Sequence, residues 1–585
     1  MRLRMLLAGG LLLTLLPAIG ASSHHSYAAT GIGTAQTDFA QVTPADATLF
    51  AAVQATASDQ QANLSALATA ISSQPGVQAL IQAASGGSAQ TPALLKLVMS
   101  GLSTVFDGEL GLAVLPTTTV TDTHGVAVPR LHLLLDAGLQ SGVTFTQLGG
   151  LLHLLGLTSA SSTTYRNVPI SSLSLAPVLG MFKTGRAQPM LSQDSPISST
   201  VYLAAVGNDL VTATDLPSMQ AGIDASAGAA PSLAADSGYQ STFGALPDTR
   251  VATVYLHADL GALAQLRTAL QPGRATGATT TPTGTWSQAF AVTAKSNGLL
   301  LTASPALRTG ALTTTVTLSP LQNVSANDLP ATALFYAALD DPGTLLSSHL
   351  AELTTLAQQT GFPLKGLDEV KVLNKLLGLD LDQDVFSLMH GEASVALLPV
   401  GSSAFASTVP ESTRLSLVLG LKVADQATVD QTLQQLAAAI QGLSADPSGW
   451  QLVQTTSTNG SPQRILAATP NGIGYTFANG SLIVGTALPA DLAAILGTSS
   501  TSNLSSDPQY QAALAAVGSG PYGALAYLNL TALRQSAEQI AQDKGLDLTR
   551  YNQMIKPLLQ AFKSLTLVAN PGTDGGGMAF LGIGN

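Results

Sequence analysis

The chain repeats a set of short sequence blocks in the same order, and this repetition constrains its fold more than any other feature. The offset between matching blocks drifts slowly, from 286 to 271 residues. The matching pairs are Pro44–Val53 with Pro330–Leu339, Gly108–Pro116 with Gly391–Pro399, Arg130–Leu135 with Arg414–Leu419, and Asn208–Pro217 with Asn479–Pro489. Repetition over most of a chain is typical of a duplicated structural unit. We therefore predict two homologous repeats, residues 43–318 and 319–585.

Hydrophobic periodicity predicts strands and helices that alternate within each repeat. Residues 415–423 place an aliphatic side chain at every second position, which predicts a strand with one apolar face. The next segment carries apolar residues at helical spacing, which predicts a helix with Asp425 as its N-cap. That helical stripe consists of Val429, Leu433, Leu436, Ile440 and Leu443.

Tight turns between apolar runs decide between fold classes. Asn208-Asp209, Asn297-Gly298 and Asn479-Gly480 each separate two strand-like segments and indicate hairpins. Strands this close in sequence leave no room for a crossover helix, so a doubly wound parallel sheet is disfavoured. We predict an α+β fold in which each repeat is an antiparallel or mixed sheet with helices packed on one face.

Composition excludes several classes of function. The chain has 585 residues, 46% of them hydrophobic and only 10% charged, so it has ample material for large cores and is unlike a disordered chain. With 23 basic against 34 acidic residues its formal charge is -11, which disfavours binding to nucleic acid. The absence of cysteine excludes disulfides, thiolate nucleophiles and cysteine-ligated metal or haem.

The N-terminus carries the pattern of an export signal. Arg2 and Arg4 precede an apolar run over residues 6–18, and small residues follow at 18 and 20. We predict a signal peptide over 1–20, with a second cleavage position at 29, followed by a linker over 21–42. The apolar run is short for a membrane span, although an uncleaved anchor is the alternative. No later segment predicts a transmembrane span, so the protein is expected to be exported to the extracellular space or cell surface.

Two stretches resemble a bacterial family of exported proteins. The first is the Pro44-Ala-Asp-Ala-Thr-Leu-Phe50 start after the export signal. The second runs from Gly378-Leu-Asp-Leu-Asp-Gln-Asp-Val385 into His390-Gly-Glu-Ala-Ser-Val-Ala-Leu-Leu-Pro399. Together they are similar to the domain-of-unknown-function 3352 family. The resemblance implies an exported protein, and it brings no catalytic residues to this chain.

An aspartate triplet is the nearest approach to a metal-binding motif. Asp380, Asp382 and Asp384 have the alternate spacing that opens a calcium loop. The sixth position of such a loop must be glycine and is Val385 here, so carboxylates at a helix N-terminus are the favoured interpretation. The histidines lack the spacing of paired metal ligands. We therefore predict no metal site and no cofactor, and keep the triplet as a weak candidate.

Glu109 and Glu392 occupy the same position in the two repeats, directly after a glycine and before a strand. A carboxylate there is a candidate for a site in a groove between the repeats or for a buried ion pair. A solvated charge at a turn is the favoured interpretation. Paired-carboxylate chemistry would require the two repeats to face each other.

These observations favour a non-enzymatic, extracellular or envelope-associated binding or structural module, with a cell-wall or envelope partner. The alternative is an extracellular hydrolase or solute-binding protein with its site between the repeats. No catalytic motif with local spacing is present, although a triad can be assembled from distant residues. A groove rich in Asp, Glu, His and Tyr would favour the alternative, whereas Leu, Ala and Thr would favour packing or lipid-like ligands.

Overall fold

The structure is a computed structural model, and it separates into two compact units, residues 1–313 and 314–585. No helix among the residues it describes is both long and apolar enough to cross a membrane. It describes residues 35–54, 60–73, 106–121, 127–140, 143, 159–174, 200–207, 209–259, 261, 284–310, 317–344, 391–399, 415–423, 425–443, 451–456, 462–467, 473–478, 480–485, 503–518, 520–549, 551–572 and 575–584.

The first unit combines an antiparallel sheet with helices. Its strands are β1 Leu49–Gln54, β2 Phe106–Thr121, β3 Ala127–Leu139, β4 Ser159–Tyr165, β5 Val168–Ser174, β6 Thr200–Val206, β7 Asp209–Ala213, β8 Ala252–Asp259, β9 Thr285–Lys295, β10 Gly298–Ala303 and β11 Leu307–Arg308. Its helices are α1 Ala35–Val42, α2 Gln61–Ser72, α3 Leu216–Ser226 and α4 Ser237–Gly244. Hydrogen-bonded neighbours follow the order β4-β5-β6-β7-β3-β2-β1-β8-β9-β10, and β11 also pairs with β9.

The second unit has the same architecture. Its strands are β12 Phe335–Asp340, β13 Glu392–Pro399, β14 Leu415–Lys422, β15 Gln451–Thr456, β16 Pro462–Ala467, β17 Ile473–Ala478, β18 Ser481–Gly485, β19 Ala524–Asn529, β20 Phe562–Ala569 and β21 Gly577–Ile583. Its helices are α5 Gln426–Leu443, α6 Pro508–Val517, α7 Leu530–Asp543 and α8 Lys556–Leu559. The order of neighbours is β15-β16-β17-β18-β14-β13-β12-β19-β20-β21, again antiparallel throughout.

The predicted α+β class is therefore confirmed, and the sheets are antiparallel. Strand β14 and helix α5 lie where periodicity placed them, and Asp425 accepts hydrogen bonds from the amides of Ala427 and Thr428 as predicted for an N-cap. The three hairpins also form. Their loops lie one residue earlier than predicted at β6–β7 and β9–β10, because Asp209 and Gly298 already pair with Val206 and Lys295.

One face of the first sheet packs against α1, α3 and α4. Its largest fully buried side chains include Phe39 of α1, Phe50 of β1, Met219 of α3 and Tyr255 of β8. Phe39 stacks on Phe50 with ring centroids 5.2 Å apart. The prediction of a linker over 21–42 is thus wrong at its C-terminal end. Residues 35–42 form α1, a helix whose aromatic side chain belongs to the core.

Candidate functional site

A hydroxyl, an imidazole and a carboxylate form a hydrogen-bonded chain at one end of the first sheet. Thr118 Oγ1 lies 2.7 Å from His132 Nε2, and His132 Nδ1 lies 2.7 Å from Asp215 Oδ2. Residues 118 and 132 belong to β2 and β3, whereas residue 215 directly precedes α3. We refer to these three residues as the Thr–His–Asp cluster.

Local structure holds each member of this cluster in place. Asp215 is the N-cap of α3, where its Oδ1 accepts hydrogen bonds from the amide and hydroxyl of Ser218 at 2.8 and 2.7 Å. The β2–β3 pairing shifts register between Leu115 and Thr118. Such bulges change the direction in which a strand presents its side chains. The bulge lets Thr118 and His132 meet although they are not direct partners in the ladder.

The electrostatics define the tautomer of His132. Burial raises the pKa of Asp215, but the hydrogen bonds from Ser218 and from His132 outweigh it and hold that pKa below its ordinary range. Asp215 is therefore an anion at neutral pH and can only accept, so Nδ1 of His132 must donate to it. In neutral His132 the lone pair then lies on Nε2, directed at the hydroxyl of Thr118.

The ladder partner of Thr118 is a basic residue. Arg130 is the direct partner of Thr118 in the β2–β3 ladder, and both side chains are exposed. Direct partners in an antiparallel pair present their side chains on the same face, with Cβ atoms about 4.5–5.5 Å apart. His132 and Asp215 are in contrast largely buried, with side chains 14% and 16% exposed. The cluster thus has a buried base end and an open hydroxyl end.

Among its described residues, the second unit shows no hydrogen-bonded set like the Thr–His–Asp cluster. Strand register places Val418 at the position of Leu134 and Gly485 at the position of Ala213. His132 lies two residues before Leu134, so its equivalent is Ser416, two residues before Val418. In the same way Asp215 lies two residues after Ala213, and its equivalent is Ala487. The sequence of the second unit therefore lacks the histidine and the aspartate at the positions equivalent to 132 and 215.

Both predicted groove carboxylates are buried, so the interpretation of a solvated turn charge is wrong. Glu109 is 3% exposed and Glu392 6% exposed. Each follows a glycine in the left-handed region, Gly108 at φ 96° and Gly391 at φ 106°. The glycines allow the chain to turn sharply into the strand and direct the following side chain inward.

Glu392 binds the backbone of a short 3₁₀ turn, Ser325–Asn327. Its Oε2 accepts a hydrogen bond from the amide of Val324 at 2.9 Å, and its Oε1 accepts one from the amide of Ser325 at 2.8 Å. The hydroxyl of Ser325 bonds the same carboxylate. Ser325 also contacts the hydroxyl of Tyr336, which donates to Asn323 at 2.8 Å. Glu392 therefore acts as an anchor within the fold of the second unit.

A small pocket lies beside Glu392, between the 3₁₀ turn and strands β13, β14 and β18. The volume open to the centre of a water molecule is about 20 Å³, enough for one water. Its floor is formed by Ser394, Val418, Gly420 and Ile483. A Cβ at 420 would lie 2.6 Å from Ser394 Oγ, so the serine hydroxyl would have to move to admit a side chain there. The pocket is too small for an organic ligand.

Burial also raises the pKa of three tyrosines near this end of the second sheet, Tyr336, Tyr510 and Tyr527. Tyr510 receives a 3.0 Å hydrogen bond from the amide of Asn323, and its ring meets that of Tyr527 edge to face at 5.0 Å. Neutral, buried phenols of this kind stabilise a core.

The remaining candidate residues do not form a site in the part of the chain that the structure describes. Asp380, Asp382 and Asp384 lie outside the described residues. Within those residues, no group of three His, Asp or Glu side chains is arranged to hold a metal ion. The carboxylates at 109 and 392 belong to separate units, and both are buried.

Sequence reasoning missed the Thr–His–Asp cluster because its members are 14 and 83 residues apart. Two local signals were present. His132 stands among the leucines at 131 and 133–135 of a predicted strand, and Asp215 precedes Leu216-Pro217 as an N-cap does. Neither signal shows that the two side chains meet.

The second face of each sheet is apolar and partly open. In the second unit a row of direct partners crosses five strands, Leu567, Ala526, Ala337, Val395 and Leu419. The corresponding row of the first unit is Phe290, Val254, Ala51, Leu112 and Leu135. The outer leucines of these rows are 44–46% exposed. We call this surface of each unit the open face.

Comparison with protein families identifies the chain at the level of a family. The sequence profile of the family described as "Protein of unknown function (DUF3352)" matches residues 106–576, which is most of the chain. The chain belongs to the DUF3352 family. No curated protein and no solved structure is significantly similar to it. The match spans both units and includes Thr118, His132 and Asp215 as well as Glu109 and Glu392.

Proposed function

We propose that this DUF3352 protein is an exported binding module, built from two homologous α+β domains, whose open faces bind the aliphatic chains of lipid-like molecules in the cell envelope. The observation that carries the proposal is the open face itself. Two sheets of the same chain each expose leucines on a surface that is apolar across five strands.

The homology of the two domains is supported by their strand order and register. Both units place their strands in the order 4-5-6-7-3-2-1-8-9-10 when each is numbered from its own first strand. Asp236 and Asp507 each cap a helix by accepting from a tyrosine amide, of Tyr239 and Tyr510. Independent origins of the same ten-strand order and the same caps would require a large coincidence.

Export is supported by the N-terminal sequence. Arg2, Arg4 and the apolar run over 6–18 have the organisation of a secretory signal. The absence of cysteine is compatible with an oxidising compartment, because no thiol can form an unwanted disulfide.

The chemistry of the open face indicates an aliphatic occupant. The two rows carry no charge and no side-chain hydrogen-bond donor or acceptor. A protein partner normally makes about one hydrogen bond per 100–200 Å² of interface and places polar groups at the rim. An acyl chain has no such requirement. Exposed leucines on strands also favour aggregation unless they are covered. A bound acyl chain would cover them.

Fatty-acid binding tests the proposal directly. Palmitate is titrated into the purified protein, and its dissociation constant is measured for the native chain and for Leu419→Asp and Leu110→Asp. Each substitution places a carboxylate on an open face, and we expect affinity to fall at least about tenfold because the charge would have to be desolvated. The matched control is Leu546→Asp, since Leu546 is 59% exposed but lies after α7, outside the sheet.

Two results would count against the proposal. The native protein would bind palmitate no better than a hydrophilic protein of similar size, or the substitutions at 419 and 110 would have the same effect as the one at 546. Either result would leave the open faces as surfaces that pack against other parts of a protein assembly.

A further inference from the structure

We infer that the Thr–His–Asp cluster of the first unit is a hydrolytic site for carboxylic esters, with Thr118 as nucleophile, His132 as general base and Asp215 as positioning residue. This inference adds a chemical activity to the proposed binding role and does not depend on it. It rests on the hydrogen-bonded chain Thr118–His132–Asp215, on the bulge in β2 and on the neighbouring Arg130.

The geometry meets the requirements of nucleophilic catalysis by a hydroxyl. A threonine hydroxyl is a weak nucleophile until a base accepts its proton. His132 Nε2 is 2.7 Å from that hydroxyl, and the imidazole is fixed by a carboxylate 2.7 Å from its other nitrogen. The tautomer set by Asp215 places the basic lone pair on the nitrogen that faces Thr118. A nucleophile, a base and an orienting group are therefore hydrogen-bonded to one another in the order that the reaction requires.

The position in the fold separates this cluster from an ordinary structural network. Asp215 would cap α3 through Oδ1 without any histidine, since Oδ1 alone receives both hydrogen bonds from Ser218. Its second oxygen, Oδ2, binds His132 at 2.7 Å and also accepts a longer hydrogen bond, 3.3 Å, from the hydroxyl of Thr214. At the other end the hydroxyl of Thr118 is exposed, so an ester carbonyl can approach it from solvent.

Arg130 supplies the charge that the reaction needs. Attack on an ester carbonyl creates an oxyanion, which a nearby cation or hydrogen-bond donor must stabilise. Arg130 is the direct ladder partner of Thr118 and is also exposed. Its guanidinium offers five N–H donors and stays protonated at any physiological pH. We assign to it the stabilisation of the oxyanion.

The reaction balances in two steps. First, Oγ1 of Thr118 forms a bond to the carbonyl carbon as its proton passes to His132 Nε2. The carbon–oxygen bond to the alcohol then breaks, and the alcohol leaves with that proton. Next, a water molecule attacks the acyl-threonine while His132 accepts its proton. The bond between the acyl carbon and Oγ1 breaks, and Thr118 recovers its proton from His132. The net change converts an ester and water into a carboxylic acid and an alcohol.

The test uses p-nitrophenyl acetate and p-nitrophenyl butyrate as probes of the purified full chain. We expect saturable release of p-nitrophenolate and an acyl group on the peptide that contains Thr118, detected by mass spectrometry after an acid quench. Thr118→Val keeps the shape of the side chain but removes the hydroxyl, so kcat/KM should fall at least about 100-fold. Thr118→Ser should retain the activity, because it restores a hydroxyl at the same position.

Controls separate this site from general surface reactivity. Thr164→Val changes an exposed threonine of β4, and His257→Gln removes a histidine that also bonds a hydroxyl, that of Ser287 at 2.8 Å. Both should leave the rate unchanged. His132→Gln should lower it by about 10²–10⁴-fold. Circular dichroism on each variant reports whether the fold is intact.

A further measurement must distinguish the role of Asp215 in orienting His132 from its role as the N-cap of α3. Asp215→Asn keeps an N-cap residue but removes the anion. We expect kcat to fall with little change in KM, since the imidazole is no longer held in the tautomer that places its lone pair on Nε2. An unchanged kcat would limit Asp215 to capping.

Two outcomes would overturn the inference as a whole. One is hydrolysis by the native chain that is no faster than by Thr118→Val. The other is an acyl group that maps to residues outside the cluster. Both are distinguishable from a failure of palmitate binding, because neither probe nor readout is shared with that experiment.

Discussion

Adding a single methyl group at Gly111 should destabilise the first unit, because Phe39 occupies the space above it. A Cβ built at this position would lie 2.3, 2.5 and 2.8 Å from three carbons of the Phe39 ring. Carbon atoms in van der Waals contact stay near 3.5–4.0 Å, so the ring would have to retreat by about 1 Å. Phe39 is fully buried and stacked on Phe50, so it cannot move without disturbing the core.

The size of the effect follows from known costs of overpacking and of cavities. Gly111→Ala should lower the free energy of unfolding of the first unit by about 1–3 kcal/mol. Phe39→Ala removes the ring and should destabilise by about 3–5 kcal/mol. In the double variant the new methyl enters space that the ring has left. The two effects should therefore be less than additive, with a coupling free energy of about 0.5–3 kcal/mol.

Urea unfolding followed by tryptophan fluorescence measures these values. The chain has two tryptophans, Trp286 in β9 and Trp450. A Trp450→Phe background leaves Trp286 as the single reporter, and it lies in the first unit. Gly244→Ala is the matched control, because no atom lies within 4 Å of a Cβ at that helical position. It should change stability by less than about 0.5 kcal/mol.

Two outcomes would contradict the packing of α1 on β2. If Gly111→Ala is as harmless as Gly244→Ala, or if it adds fully to Phe39→Ala, then α1 does not pack on β2 as the structure has it. The assignment of residues 35–42 to the core of the first unit would fail with it.

Two further predictions concern carboxylates of the second unit. Glu392→Gln replaces an acceptor by an amide donor that would face the N–H groups of Val324 and Ser325, so we expect a loss of about 1–3 kcal/mol in urea unfolding and a smaller loss for Ser325→Ala. Burial raises the pKa of Glu538, but hydrogen bonds from Lys556 and Tyr551, with the charges of Lys556 and Arg534, outweigh it and lower the pKa. A lowered pKa in the folded state means that the stabilisation is present above the unfolded value near 4.3 and is lost as pH falls through the folded value. The stability difference between the native chain and Glu538→Gln should therefore shrink between pH 6 and pH 3, and a difference that is constant over this range would contradict the ion-pair assignment.

Local patterns predicted much of the fold because they depend on neighbours in sequence. The helix after Asp425 and the strand before it follow from spacing alone, and both are present as α5 and β14. Hairpin turns were located to within one residue, since the chemistry of Asn and Gly sets the backbone. Periodicity could not predict which apolar face of the sheet remains exposed to solvent. Leu417 and Leu419 have the pattern of core residues, yet they are 43% and 44% exposed.

The candidate sites were hard to predict because their partners are remote in sequence. Glu392 is buried by amides that come 67 and 68 residues before it. A glutamate after a glycine has the pattern of a solvated turn, and nothing nearby in the sequence indicates otherwise. The same holds for His132, whose carboxylate partner comes 83 residues later. In both cases tertiary structure supplies the hydrogen-bond partners that make burial of a polar group affordable.

The differences between the two units bear on which features serve a function. Strand register places Ser394 of the second unit at the position of Gly111. The 3₁₀ turn at Ser325 replaces the part of α1 that holds Phe39, and the same backbone bond follows both segments, from Leu233 to Thr43 and from Leu504 to Leu329.

The two units therefore differ in the residues that pack against the first strands of their sheets. A buried Phe39–Phe50 stack and the Thr–His–Asp cluster lie in one unit, and a carboxylate anchor with a water-sized pocket lies in the other. The open faces, in contrast, carry a row of apolar residues in both units. A feature that both domains keep is expected to serve what they do in common, whereas a feature in one domain alone is expected to serve a single step. The proposed binding role therefore falls to the open faces of both units and the proposed ester hydrolysis to the first unit, so mutation should separate the two roles.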